Sequence, residues 1–390
     1  MSPSTRRAGA LLLLLLAGFL AGAQLGKIAP LTHWLGEARG LSLTLIGWLT
    51  AAIGLFVALV ALPVGLAVDR FGALASFWAA TAMLVVGGLG VALFAAPAWL
   101  MAARLAEGGG YLVLVVTIPA MLNAVAPPAW RPAALALWGG FVPIGFAIAD
   151  FVALAVLPVA GPPVYLAVLS AGFALAALAA GLLLRGLDGT GRAMAGQAGA
   201  GLAGVAASAS GPVVAVALAF GLFVVLSMGF LAFLPAYAPV AADRLLLTPG
   251  VVALVVPVGN LMTGAAMRGR GLRLAGLLTV AGFVAMAAAA WPLYAGGTAL
   301  EVTGGAVLFA FASGIASSAL FAAIPFIVPA AGSAAVVIGL VAQAGGVATI
   351  AGPPLSGFVI ESYGWTVFAA FLVVVALAGL IAAAPLTRRR

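Results

Sequence analysis

Four ionisable side chains fall inside long apolar runs: Lys27, Arg104, Glu107 and Asp150. A charge in hydrocarbon costs about 2.5 kcal/mol or more, so such residues are retained for a purpose. Arg104 and Glu107 stand three positions apart, one helical turn, and share a face. Each of the four lies three to eight residues from the outer end of its expected helix. At ~1.5 Å per residue they can share one layer, within roughly 12 Å of the outer surface. Two cations and two carboxylates allow two chemistries. The cations can meet an anionic group on a substrate while Glu107 or Asp150 carries a coupling proton. Equally, the four charges can neutralise one another in a structural network or an outer gate.

The second half of the chain has almost no buried charge. Its candidates are Asn260, Gln343, Ser313, Ser317 and Ser318, with the aromatics Phe230, Phe233 and Tyr237. Small hydroxyls at helical spacing more often join helices than bind ligands. Asn260 and Gln343 are the stronger candidates, because an amide both donates and accepts. Glu301 and Glu361 fall at outer helix ends, and the single histidine, His33, falls in an outer loop. There is no cysteine, so disulfides, thiolate metal sites and cysteine nucleophiles are excluded, and one histidine cannot build a histidine-based metal site. No glycine-rich phosphate loop, His-Glu-x-x-His or Gly-x-Ser-x-Gly is present, which argues against an ATP-driven pump and against hydrolase chemistry. The expectation is no enzyme, no metal and no cofactor.

These residues must be positioned by membrane helices. Hydrophobic residues make up 66% of the 390 and charged residues 6%, so lipid must be the solvent for most of the chain. Runs long enough to span a membrane predict twelve helices: 8–29, 43–67, 74–95, 99–123, 133–157, 164–184, 213–237, 248–267, 274–294, 300–323, 335–360 and 366–386. Arg6, Arg7, Leu11–Leu16 and Ala21-Gly22-Ala23 mimic a signal peptide, but the apolar run continues to Ile28, so an uncleaved first span is expected. With the N-terminus inside, twelve of the 16 basic residues face the cytoplasm. Lys27, Arg39, Arg104 and Arg244 do not. This bias places both termini in the cytoplasm. Basic residues scattered at helix ends are a topology signal and not a nucleic-acid face, despite a net charge of +8. Residues 185–212, rich in Gly, Ala and Ser, read as a cytoplasmic linker between bundles at 1–184 and 213–390.

Between the second and third runs stands Gly65-Leu66-Ala67-Val68-Asp69-Arg70-Phe71-Gly72. It resembles the loop between helices 2 and 3 of the major facilitator superfamily of secondary transporters, a cytoplasmic latch between the two halves of the carrier. Met267–Arg273 occupies the matching place in the second half, basic but lacking the Asp. Arg104-Leu-Ala-Glu107-Gly108-Gly109-Gly110 resembles the superfamily's span-4 motif, and Tyr363-Gly364-Trp365 its entry to span 12. Gly352-Pro353-Pro354-Leu355-Ser356-Gly357 is expected to interrupt span 11 and let it bend. The drug exporters' Gly-Pro pair is absent from span 5, where Gly139-Gly140-Phe-Val-Pro143-Ile-Gly145 stands instead.

The resemblance implies an all-α integral membrane fold, with twelve helices in two six-helix bundles related by pseudo-two-fold symmetry. It also implies alternating access, with Lys27 and Arg104 facing the substrate path and Gly65, Asp69, Arg70, Gly72, Gly352, Pro353 and Gly357 serving conformational change. The expected partners are a small-molecule substrate, protons and membrane lipids, for a monomer in a bacterial-type inner membrane. Gly26-Lys27-Ile-Ala-Pro30 with Arg104 points to a small anion, of the cyanate-permease-like kind. A proton-driven exporter of lipophilic cations is the alternative within the class. A non-transporting scaffold or sensor is the alternative outside it.

Overall fold

A computed structural model describes residues 3–59, 68, 71–93, 96–127, 134, 137–138, 140–185, 210–268, 270–330 and 334–388. All regular structure among them is helical, as a chain must be when water is absent to satisfy its backbone. The helices are α1 (Pro3–Gly26), α2 (Thr32–Arg39), α3 (Leu43–Ala51), α4 (Ala73–Leu93), α5 (Pro97–Val125) and α6 (Phe141–Leu184). After these come α7 (Gly211–Tyr237), α8 (Pro249–Ala253), α9 (Val255–Ala266), α10 (Leu272–Ala295), α11 (Ala299–Ile327) and α12 (Ala334–Thr387).

Among the described residues nine helical segments are long and apolar enough to cross a membrane. Two are too long for one crossing. With 44 and 54 residues, α6 and α12 would run about 66 and 81 Å as straight helices, against ~30 Å of hydrocarbon. Each turns back at one glycine, Gly161 (φ 74°, ψ 178°) and Gly364 (φ 79°, ψ 178°). Only a residue without Cβ adopts that backbone readily. Taking both as double crossings, and adding the shorter apolar helix Leu43–Leu59, raises nine to the twelve expected. The near-identical break in both halves is the structural trace of an internal repeat.

Span 11 carries its prolines and glycines inside α12. Backbone angles stay helical through Gly352–Gly357, and Gly364 is the residue of α12 that leaves the helix. Glycines at this level provide close packing. A Cβ on Gly352 would lie 3.2 Å from Val225 Cα, and one on Gly47 2.5 Å from the Pro353 carbonyl oxygen.

Chain contacts divide the described residues into two compact units. One draws on Met1–Leu31 and Ala52–Ala198, the other on Thr32–Ala51 and Gly199–Arg390. In the first unit α1 packs along α6, α4 packs on α5 and α6, and α1 also meets α5. Small residues permit this approach. A Cβ on Gly145 would lie 2.6 Å from Gly22 Cα, and one on Gly110 2.6 Å from the Ala80 carbonyl. In the second unit α7 and α10 pack on α12, α11 packs on α9 and α10, and α3 lies against α12. There Glu361 accepts hydrogen bonds from the Thr44 amide (3.2 Å) and hydroxyl (2.8 Å), so this carboxylate caps the start of α3.

Candidate functional site

The first unit gathers three of the four intramembrane charges at one point. Lys27 follows the last residue of α1, where the helix gives way to a turn and the short 3-10 segment Ala29–Leu31. Arg104 and Glu107 project from one face of α5. Lys27 Nζ lies 2.5 Å from Glu107 Oε1, and Arg104 Nη1 lies 2.7 Å from Glu107 Oε2. All three side chains are 0% exposed. One carboxylate thus bridges two cations, an oxygen to each. Such a group holds together in a low dielectric only where its donors and acceptors are matched.

The surrounding shell supplies that matching. Arg104 Nη1 donates to the Gln24 carbonyl (2.8 Å), and Nη2 is 3.5 Å from the Leu25 carbonyl. Lys27 Nζ donates to Gln24 Oε1 (2.9 Å), while Gln24 Nε2 donates to the Leu169 carbonyl (3.0 Å). The Tyr165 hydroxyl donates to the Lys27 carbonyl at 3.1 Å. Across the site α4 presents Gly88, where a Cβ would stand 2.5 Å from Ser170 Oγ, 3.2 Å from Glu107 Oε1 and 3.4 Å from Lys27 Nζ. Glycine at 88 therefore leaves room for the ion cluster. Asp150 lies on α6, the helix that also carries Tyr165 and Ser170, and is 6% exposed.

The remaining sequence candidates lie elsewhere. Asn260 joins helices of the second unit: its Oδ1 accepts from Ser317 (2.9 Å) and its carbonyl from Ser318 (3.3 Å). Gln343 sits on α12 with its side chain exposed. Ser313 is fully buried, and its hydroxyl has no hydrogen-bond partner among the described residues. Phe230 packs on Phe309, with ring centroids 4.7 Å apart, and Tyr237 on Tyr294 and Trp365, each at 4.9 Å, so these aromatics are core. Of the 65–72 motif, Gly72 takes φ +86° and turns the chain into α4, while Gly65, Asp69 and Arg70 lie outside the described residues. His33 pairs with Glu37 at 3.0 Å on the surface of α2, and Glu301 closes a capping box with Thr298.

Sequence reasoning missed Gln24, Tyr165 and Ser170, which carry no charge and stand in runs of apolar residues. One signal for the site was available and unused: Lys27 is the single lysine among 16 basic residues. Everywhere else the chain uses arginine.

Residues 14–349 match the family described as Major Facilitator Superfamily. The chain belongs to that superfamily. It is accordingly a multi-pass membrane protein of a family of secondary transporters, which bind small-molecule substrates. No match is found among curated proteins. Within a major facilitator protein, a sealed cluster of two cations around one carboxylate can exchange that carboxylate for another anion. It can also change its charge by one proton. Its position between α1, α4, α5 and α6 ties either event to the packing of four helices.

Proposed function

We propose that this major facilitator protein carries a small organic or inorganic anion across the membrane together with a proton, by alternating access. The observation that supports this reading is the shared carboxylate. Glu107 occupies, with one oxygen each, the positions on Lys27 and Arg104 that a substrate anion would take. While Glu107 is ionised the cations are satisfied and the cluster is closed. A proton on Glu107 removes the charge that holds both of them, and the two vacated positions suit an oxyanion. Substrate and proton then enter together: a proton alone leaves two buried cations without a counter-ion, and an anion alone finds both positions held by the Glu107 carboxylate. Asp150, nearly buried on α6, is the second acidic group through which a proton can pass.

The same reading takes 1–184 and 213–390 as six-helix halves joined by a cytoplasmic linker at 185–212, rocking as units in a monomer. It places both termini in the cytoplasm of a bacterial-type inner membrane.

The test is a thermal-shift screen of the detergent-purified protein against formate, acetate, nitrate, cyanate and lipophilic cations. A ligand that binds the folded state raises the melting temperature. Stabilisation by an anion, lost in Lys27→Ala, supports the reading. Stabilisation by lipophilic cations alone overturns it in favour of an exporter, with Glu107 and Asp150 as the groups to change next. An anion that binds is then followed into proteoliposomes, where an imposed proton gradient must drive its accumulation.

A further inference from the structure

The two cations of the cluster are not equivalent. We infer that Lys27 is the cation that meets the substrate, that Arg104 is a fixed cap on the broken end of α1, and that Gln24 is the positioning residue that holds the Lys27 ammonium in place. This rests on the anion reading above and assigns roles within it.

The assignment comes from counting donors. An α-helix leaves its last four carbonyls without partners. In α1 two of these belong to Gln24 and Leu25, and Arg104 reaches both, at 2.8 and 3.5 Å, while the same guanidinium holds Glu107 at 2.7 Å. The negative end of the helix dipole lies at that point and favours a cation. Moving Arg104 onto a substrate would strip buried carbonyls of their donor. The Lys27 ammonium has three N–H donors. Among the described residues two are used, toward Glu107 Oε1 and Gln24 Oε1. The third meets no acceptor there, and the Glu107 partner is the one that a proton or an anion can replace.

Gln24 fits the holding role by its orientation. Its Nε2 is committed to the Leu169 carbonyl, so only its oxygen faces the ammonium. When Glu107 releases Lys27, the Gln24 amide remains as its partner, and the ammonium stays aimed at the vacated place. The backbone beneath is held separately by Tyr165 on the Lys27 carbonyl. A chain that uses arginine at every other basic position keeps lysine at 27 because a compact, rotatable ammonium can turn between partners. A planar guanidinium cannot.

Because Lys27 is the single lysine, protein grown on [13Cε]lysine gives one lysine signal in an NMR spectrum. Formate, acetate, nitrate and cyanate are titrated into the full-length protein, and melting temperature and the Lys27 signal are read together. The expected result is that the anion that stabilises the protein also moves the Lys27 signal. Gln24→Met should then weaken that anion's apparent affinity about tenfold, as for one lost hydrogen bond to a charged group. In the ligand-free variant the Lys27 signal should itself move, because the ammonium has lost a partner, and the melting temperature should fall, because the Leu169 carbonyl has lost its donor. Arg104→Gln should lower the ligand-free melting temperature, and the variant that remains folded, with Lys27 still its single lysine, should still show the anion-dependent Lys27 shift. An anion that stabilises the protein and leaves the Lys27 signal unmoved overturns the assignment while leaving the transport reading standing. Unchanged affinity in Gln24→Met removes Gln24 from it. If no anion stabilises the protein, the transport reading falls first and this assignment with it.

Discussion

Lys27 Nζ and Glu107 Oε1 lie 2.5 Å apart, eighty positions distant in the chain, and neither side chain has any exposure. That contact makes the two residues one unit. A change to either is a change to the charge state of the whole cluster, and Arg104 feels it through the second carboxylate oxygen. Transport coupled to a proton needs an element of this kind, in which one ionisation alters several buried contacts at once.

Glu107→Gln should separate binding from coupling. The variant lacks the tethered anion, so a stabilising anion should bind with little dependence on pH. Proton-driven accumulation in proteoliposomes should fall by roughly tenfold or more, as expected when a positioned proton carrier is lost. Counterflow exchange, which needs no net proton movement, should persist. Wild-type accumulation in this variant would remove Glu107 from the coupling step.

Gly88→Ala tests whether room beside the cluster matters. The new methyl would press on Ser170 Oγ at 2.5 Å, with Glu107 Oε1 at 3.2 Å and Lys27 Nζ at 3.4 Å. Overpacking of this kind costs about 1–3 kcal/mol. The melting temperature should drop, and Ser170→Gly in the same chain should restore much of it. Gly172→Ala is the control, because nothing stands within 4 Å of the added carbon. A Gly88 variant as stable as the control would show that the site has slack.

Gly161→Ala and Gly364→Ala should each destabilise through the backbone alone. A Cβ at either position meets nothing within 4 Å, yet φ is +74° and +79° with ψ at 178° in both. That region is nearly exclusive to glycine, and a side chain there costs about 1–3 kcal/mol. Similar losses in thermal melts of the two variants are expected from the shared geometry. If both melt like wild type, the helices turn back by some other means.

The absence of cysteine makes topology simple to read. In intact cells an impermeant maleimide should label His33→Cys, whose position carries an exposed side chain. Arg388→Cys should react only after the membrane is opened. The reverse pattern would overturn the orientation drawn from the arginine distribution.

The membrane class, the helix count and the superfamily were legible in the sequence, because each is a local property. Apolar runs of membrane length announce a span wherever they occur, and the 65–72, 104–110 and 363–365 motifs are contiguous. Intramembrane charges were legible too, since hydrocarbon tolerates so few. Residue identity could not choose between a binding site and a neutral network, because that depends on which donors meet which acceptors. Tertiary structure decided that Glu107 is shared by both cations, that Asn260 ties helices together, and that the glycines of the Gly352–Gly357 stretch pack closely against neighbouring helices. Gln24 shows the reason most clearly. An uncharged amide in an apolar run carries no signal of its own, and its role exists only where α1, α5 and α6 bring Lys27, Arg104 and the Leu169 carbonyl within hydrogen-bond reach of it.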